Sequence, residues 1–151
     1  MVISMAVFSL LLLIIAWVIA SNGTGTHLHR RHVASIIGFI IALVAIVLEG
    51  LTLKLKPNSY HYFSIQVVTL LGLMMSALST GMNNVVVDLC LAGEKIVEVE
   101  GRHCGAHYVE FFGGLFLTIS FASMFLCTQQ KIITLVDRGI LQGIGLRLSR
   151  T

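Results

Sequence analysis

Apolar residues fall along this chain in four long blocks rather than in the short alternating stretches of a soluble domain. The first block runs from Val2 to Ala20 without one charge, and the second from Val33 to Leu53 with Glu49 as its only charged residue. The third begins near Tyr62, stays apolar to Met82 and continues through Asn83, Asn84 and three valines to residue 89. The fourth covers Tyr108 to Thr128. About 20 such residues suffice for a helix to cross a hydrocarbon core of roughly 30 Å. The polar segments between the blocks are short: 21–32, 54–61 and 91–107. Short connections place consecutive helices side by side. The pattern therefore predicts an all-α fold, an integral membrane four-helix bundle running up-down-up-down, over residues 1–128. Residues 129–151 form a cytoplasmic tail. There Ile132, Val136, Ile140 and Ile144 recur every four residues among Asp137, Arg138, Gln142 and Arg147. This spacing predicts an amphipathic helix lying on the inner leaflet, its basic groups toward anionic lipid.

Composition narrows the class. The chain of 151 residues is 56% hydrophobic and 11% charged, with a mean hydropathy of +0.93. Soluble domains carry about 25% charged residues, so an ordinary soluble enzyme, a disordered chain and a disulfide-rich miniprotein are excluded. The net charge of +3 is accounted for by loops and tail and calls for no nucleic-acid partner. Val18 and Ala20 would fit a signal-peptidase site. The absence of a basic leader and the length of the apolar stretch favour a retained first span instead.

Charge also sets the expected orientation. An even number of spans puts Lys54, Lys56, Lys131, Arg138, Arg147 and Arg150 on one side and Arg30, Arg31, Lys95 and Arg102 on the other. The positive-inside rule then places both termini in the cytoplasm, in the plasma membrane or a secretory-pathway membrane. A glycosylation sequon at Asn22 would face the exterior or lumen. So would Cys90 and Cys104, the expected disulfide. Cys127, at the inner end of the fourth span, reads as a buried thiol or as a palmitoylation site.

Within a bilayer, helices associate through small residues and interhelical hydrogen bonds. Three rows at a spacing of four suit that role: Ala34, Gly38 and Ala42; Gly72, Ser76, Thr80 and Asn84; Gly114, Thr118 and Ala122. Asp88 extends the second row. Intramembrane ionisable groups are costly and are functional candidates by default. Folding the third span onto the fourth brings Asp88 level with Glu110, with Asn84 one turn deeper and His107 nearby; these four make a candidate ion path. The same construction sets Glu49 level with Gln66. His27, His29, His32, His103 and His107 gather on the outer side, yet their spacing matches no zinc motif, and no metal or cofactor is expected.

In plan the chain resembles four-span membrane proteins of the MARVEL and claudin kind. The likeness is one of topology: inside termini, two outer loops and cysteines around the second loop. It implies a junction, vesicle or channel-accessory role rather than an enzyme. The claudin first-loop tryptophan motif and cysteine pair are missing from the short segment 21–32, so no barrier or pore function transfers. Enzymatic and transport families of similar plan fit less well. The isolated cysteines lack the C-x-x-C pair of a thiol oxidoreductase like vitamin K epoxide reductase. No histidine pair sits inside the spans to hold haem as in cytochrome b561. The first span also lacks the glutamate of small multidrug exporters. The expected function is thus a non-enzymatic multi-pass protein that organises or assists membrane partners, another membrane protein or further copies of itself. The alternative is a small ion or proton transporter or channel subunit using Asp88, Glu110, Asn84 and His107.

Overall fold

A computed structural model describes residues 2–21, 32–52, 59–92 and 104–138. They form four helices: α1 (Val2–Ser21), α2 (Val33–Thr52), α3 (Ser59–Leu91) and α4 (Cys104–Asp137). No strand occurs among the described residues. All four are long and apolar enough to cross a membrane. At 1.5 Å per residue, the 20 residues of α1 and of α2 reach about 30 Å. The 33 of α3 and 34 of α4 reach about 50 Å and overshoot such a layer.

The helices pack side by side. α4 lies against both α1 and α3, and α2 leans mainly on α3. α2 and α4 touch little along their backbones. The buried positions explain how. In α2 they are Ser35, Gly38, Ala42, Ala45 and Glu49. In α4 they include His107, Glu110, Gly114, Leu117, Phe121, Met124 and Thr128. Buried side chains of α3 include Tyr62, Ile65, Thr69, Ser76, Ser79 and Asn83, with Gly72 among them. Each seam advances by alternate steps of three and four, a heptad rhythm whose mean of 3.5 keeps one narrow face toward its neighbours.

The seam is lined with small residues, so backbones come close. A Cβ added at Gly72 would fall 2.3 Å from the Phe121 ring, and one at Gly114 would fall 2.7 Å from Thr80 Oγ1. Thr118 donates to Ser76 across the same interface at 3.1 Å. Apolar packing from Ala6, Leu10, Leu13, Ala42, Ala45, Leu117, Phe121 and Met124 fills the centre. The outward faces are apolar as well: Phe8, Leu11, Ile15, Ile40, Val47, Leu71, Met74, Val85, Phe112 and Leu126 are all exposed.

Two expectations change here. The fourth span begins at Cys104, four residues before Tyr108, which brings His107 into the helix. It then runs unbroken to Asp137, so the first part of the tail continues the span instead of starting a separate helix. Residues 139–151 lie outside the described residues, as do Asn22, His27, His29 and His103.

Candidate functional site

The buried acidic and histidine side chains lie at the two ends of the bundle. At the end where α3 meets α4, the sulfurs of Cys90 and Cys104 lie at disulfide distance, with 6.0 Å between their Cα atoms. This joins the last turn of α3 to the first residue of α4. Just below it sits Glu110, only 1% exposed. A carboxylate removed from solvent needs hydrogen bonds and a compensating charge. α2 supplies a hydrogen bond, and two imidazoles lie close by. The Ser35 hydroxyl donates to Glu110 Oε1, and His32 Nδ1 lies 2.6 Å from Oε2. That last pair is close without the alignment of a regular hydrogen bond.

His32 is placed there by local structure. It is the residue before α2, and its carbonyl accepts from the Ile36 amide at 2.9 Å and lies 3.0 Å from the Ser35 hydroxyl, an alternative acceptor for that hydrogen. His32 is therefore the helix N-cap position, held in at 5% exposure. On the other flank stands His107, one turn before Glu110 on α4. Its Nδ1 is 3.9 Å from Glu110 Oε2 and 2.9 Å from Asn83 Oδ1. Asn83 gives its amide hydrogen to the Ser79 carbonyl at 3.0 Å, which leaves Oδ1 to accept. His107 Nδ1 consequently carries a hydrogen. The two imidazoles stack with centroids 5.6 Å apart and 20° between planes. Two helices thus meet at the carboxylate, and the third reaches it through His107.

At the far end a second buried carboxylate reverses the direction. Glu49 of α2 accepts from Thr128 of α4 at 2.9 Å, and Lys131 Nζ is 3.4 Å away. Nearby, the His61 ring is 3.1 Å from the Leu48 carbonyl. Each of α2 and α4 therefore lends the other a glutamate, one at each end.

The sequence-derived pairs are rearranged by this geometry. Asp88 does not meet Glu110: it is exposed, and its carboxylate accepts from Asn84 on its own helix at 3.4 Å. Asn84 is exposed too, and Asn83 takes the inner place. The reason is pitch. A row at strict spacing of four drifts about 40° per step around a 3.6-residue helix, so Gly72 and Ser76 face inward, Thr80 is half-buried, and Asn84 and Asp88 have turned out. Of the expected ion path Glu110 and His107 come together inside the bundle, while Asn84 and Asp88 pair on its outside. Glu49 pairs with α4 rather than with Gln66. Ala34, Gly38, Ala42 and Gly114 are buried as packing residues, while Thr118 and Ala122 are half-buried. Sequence reasoning missed Ser35 and the inward turn of His32. Ser35 stands on the heptad seam that continues through Ala42 to Glu49, and that seam is the signal that would have found it; His32 precedes the helix and lies off the seam.

Among the described residues no group of three or more histidines, cysteines or acids is arranged to hold a metal ion. A cavity of about 430 Å³ opens near the far end beside Tyr62, Cys127 and Lys131, where Cys127 is an exposed free thiol. Comparison with protein-family models, curated proteins and solved structures gave no match.

Proposed function

We propose that the four helices cross a bilayer up-down-up-down with both termini cytoplasmic. In this reading the chain is a non-enzymatic multi-pass protein of the plasma membrane or secretory pathway, on the general plan of MARVEL and claudin-like proteins. It organises or assists membrane partners, either another membrane protein or further copies of itself. One observation carries the membrane role: large apolar side chains cover the outward faces of all four helices, while Glu49, Asn83, His107 and Glu110 are turned inward. That is the solvation expected of a protein whose solvent is lipid. The scaffold role is supported by the commitment of the polar groups. Glu49 is bonded within the bundle, Ser35, His32 and His107 are gathered around Glu110, and Asn83 is bonded to His107. The small-residue rows are spent on the protein's own helix contacts, so partners are expected on the exposed apolar faces.

A second reading, a proton or ion carrier, draws on the burial of Glu110 between two histidines. Its path would centre on Glu110 and His107, without Asp88. Reconstitution into liposomes decides between them. For the scaffold role, proton and cation flux match empty liposomes, and a membrane protein or a second copy stays bound at fixed stoichiometry in mild detergent. Flux that Glu110→Gln abolishes would establish the carrier instead.

A further inference from the structure

Tyr62 stands in the first turn of α3 with its side chain 9% exposed, and it lines the cavity of about 430 Å³ between α3 and α4. Its ring meets that of His61 edge-on at 6.4 Å, but its hydroxyl has no hydrogen-bond partner among the described residues. A phenol buried to this degree ordinarily has one. Across the cavity α4 presents Cys127, Gln130, Lys131, Thr134 and Leu135. Residues three and four apart share a helix face. The Arg138 amide donates to the Thr134 carbonyl at 3.1 Å, so the helical turn continues and sets Arg138 on that face. Lys131 is 48% exposed. Its ammonium has three hydrogens to give, and Glu49 Oε2 at 3.4 Å engages one of them. Asp137 lies about 100° round the helix from Arg138. The positive end of the α3 dipole is at this end of the bundle as well, and the connection from α2 to α3 carries Lys54 and Lys56.

We propose that this groove binds one anionic phospholipid, its phosphate held by the Tyr62 hydroxyl, the Lys131 ammonium and the Arg138 guanidinium. Small-molecule sites measure about 300–1,000 Å³, so the groove has room for a headgroup. A free phosphate would use the same donors, yet the surroundings favour the lipid. Phe63, Leu126 and Ile133, sequence neighbours of the lining residues, are exposed, and a phospholipid covers them with its acyl chains. Tyrosine, lysine and arginine are also the side chains that stand at headgroup level. The cytoplasmic leaflet is the one that carries anionic lipid, and the proposed orientation puts Lys131 there. The inference goes beyond the scaffold role and rests on the membrane reading.

The groove carries its own reporter. The chain has three cysteines; Cys90 and Cys104 are at disulfide distance, so Cys127, exposed in the lining, is the thiol left to react. Full-length protein stripped of lipid in a non-ionic detergent is titrated with phosphatidylglycerol while maleimide addition to Cys127 is timed. Addition is expected to slow saturably, about tenfold at ten times the dissociation constant, as the unoccupied fraction falls. Phosphatidylcholine and inorganic phosphate at equal concentration are expected to leave it fast. Tyr62→Phe keeps the ring and removes the hydroxyl, and is expected to raise the dissociation constant about tenfold, the loss of one hydrogen bond to a charged group. Arg138→Gln, on an exposed turn, is expected to raise it too. No protection, equal protection by phosphatidylcholine, or protection unchanged in both variants overturns the site. Equal protection by inorganic phosphate assigns the groove to a free anion and overturns the lipid. A thiol already slow without lipid, and released by deleting residues 139–151, gives the groove to the chain's own tail and overturns it as well. Failure of the membrane reading would look different: the protein would stay in the aqueous fraction when membranes are collected.

Discussion

Glu110 is the residue on which most of the bundle's polar chemistry depends. Truncating it leaves the buried His32 ring without its carboxylate neighbour and removes the Ser35 hydroxyl's link to α4. Removing one partner of such a buried pair costs about 3–5 kcal/mol. Glu110→Ala is accordingly expected to lower the thermal unfolding midpoint in detergent strongly. Asp88→Ala, on the exposed turn of α3, is expected to leave that midpoint where it is. An equal effect of the two substitutions would restore the Asp88–Glu110 pairing that level along the helices suggests. Depth was legible only to within a turn: folding at the loop set Glu110 level with Asp88, whereas the Ser76–Thr118 and Cys90–Cys104 pairs set it level with residues 83–84. Rotation was not. Whether Asn83 or Asn84 faces inward depends on how far a helix has turned over eleven residues from Gly72, and a row written at intervals of four carries the wrong phase by then.

At the scale of the helices, contact is set by what is missing from the side chains. Gly72 lets the Phe121 ring of α4 lie on the α3 backbone, and Phe121 is 1% exposed with packed neighbours all round. A methyl group there has no room, and overpacking of this kind costs about 1–3 kcal/mol. Gly72→Ala is expected to destabilise by that amount in chemical unfolding, and Phe121→Leu in the same chain to recover part of it. Strict additivity of the two substitutions would show that they do not share the interface. The four spans themselves were readable because long apolar blocks have one physical use. Their ends were less so: α3 and α4 continue past the apolar blocks, since a polar helix remains a helix once a neighbour and a disulfide support it.

For the whole molecule, the covalent tie sits beside the centre it protects. Cys90 and Cys104 are 14 residues apart, and closing a loop of about that size stabilises by roughly 3 kcal/mol. Reduction, or Cys90→Ser with Cys104→Ser, is expected to lower the unfolding midpoint and to speed exchange near Glu110 before it does so near Glu49. Sided maleimide labelling checks the arrangement in the membrane. Cys127 is expected to react from the cytoplasmic face, and Cys90 and Cys104 only from the other side after reduction.

The reciprocal glutamates of α2 and α4 also bear on how the chain is made. Glu49 precedes Lys131 by 82 positions, and Ser35 precedes Glu110 by 75. At about 5–20 residues per second of synthesis, α2 waits on the order of 4–16 s with its carboxylate uncompensated before α4 arrives. Until then the first three helices carry a glutamate and a helix entry whose partners on α4 have not yet been made. The last helix thus completes the polar contacts of the second, and a chain cut short before Cys104 is expected to unfold more readily than the full chain.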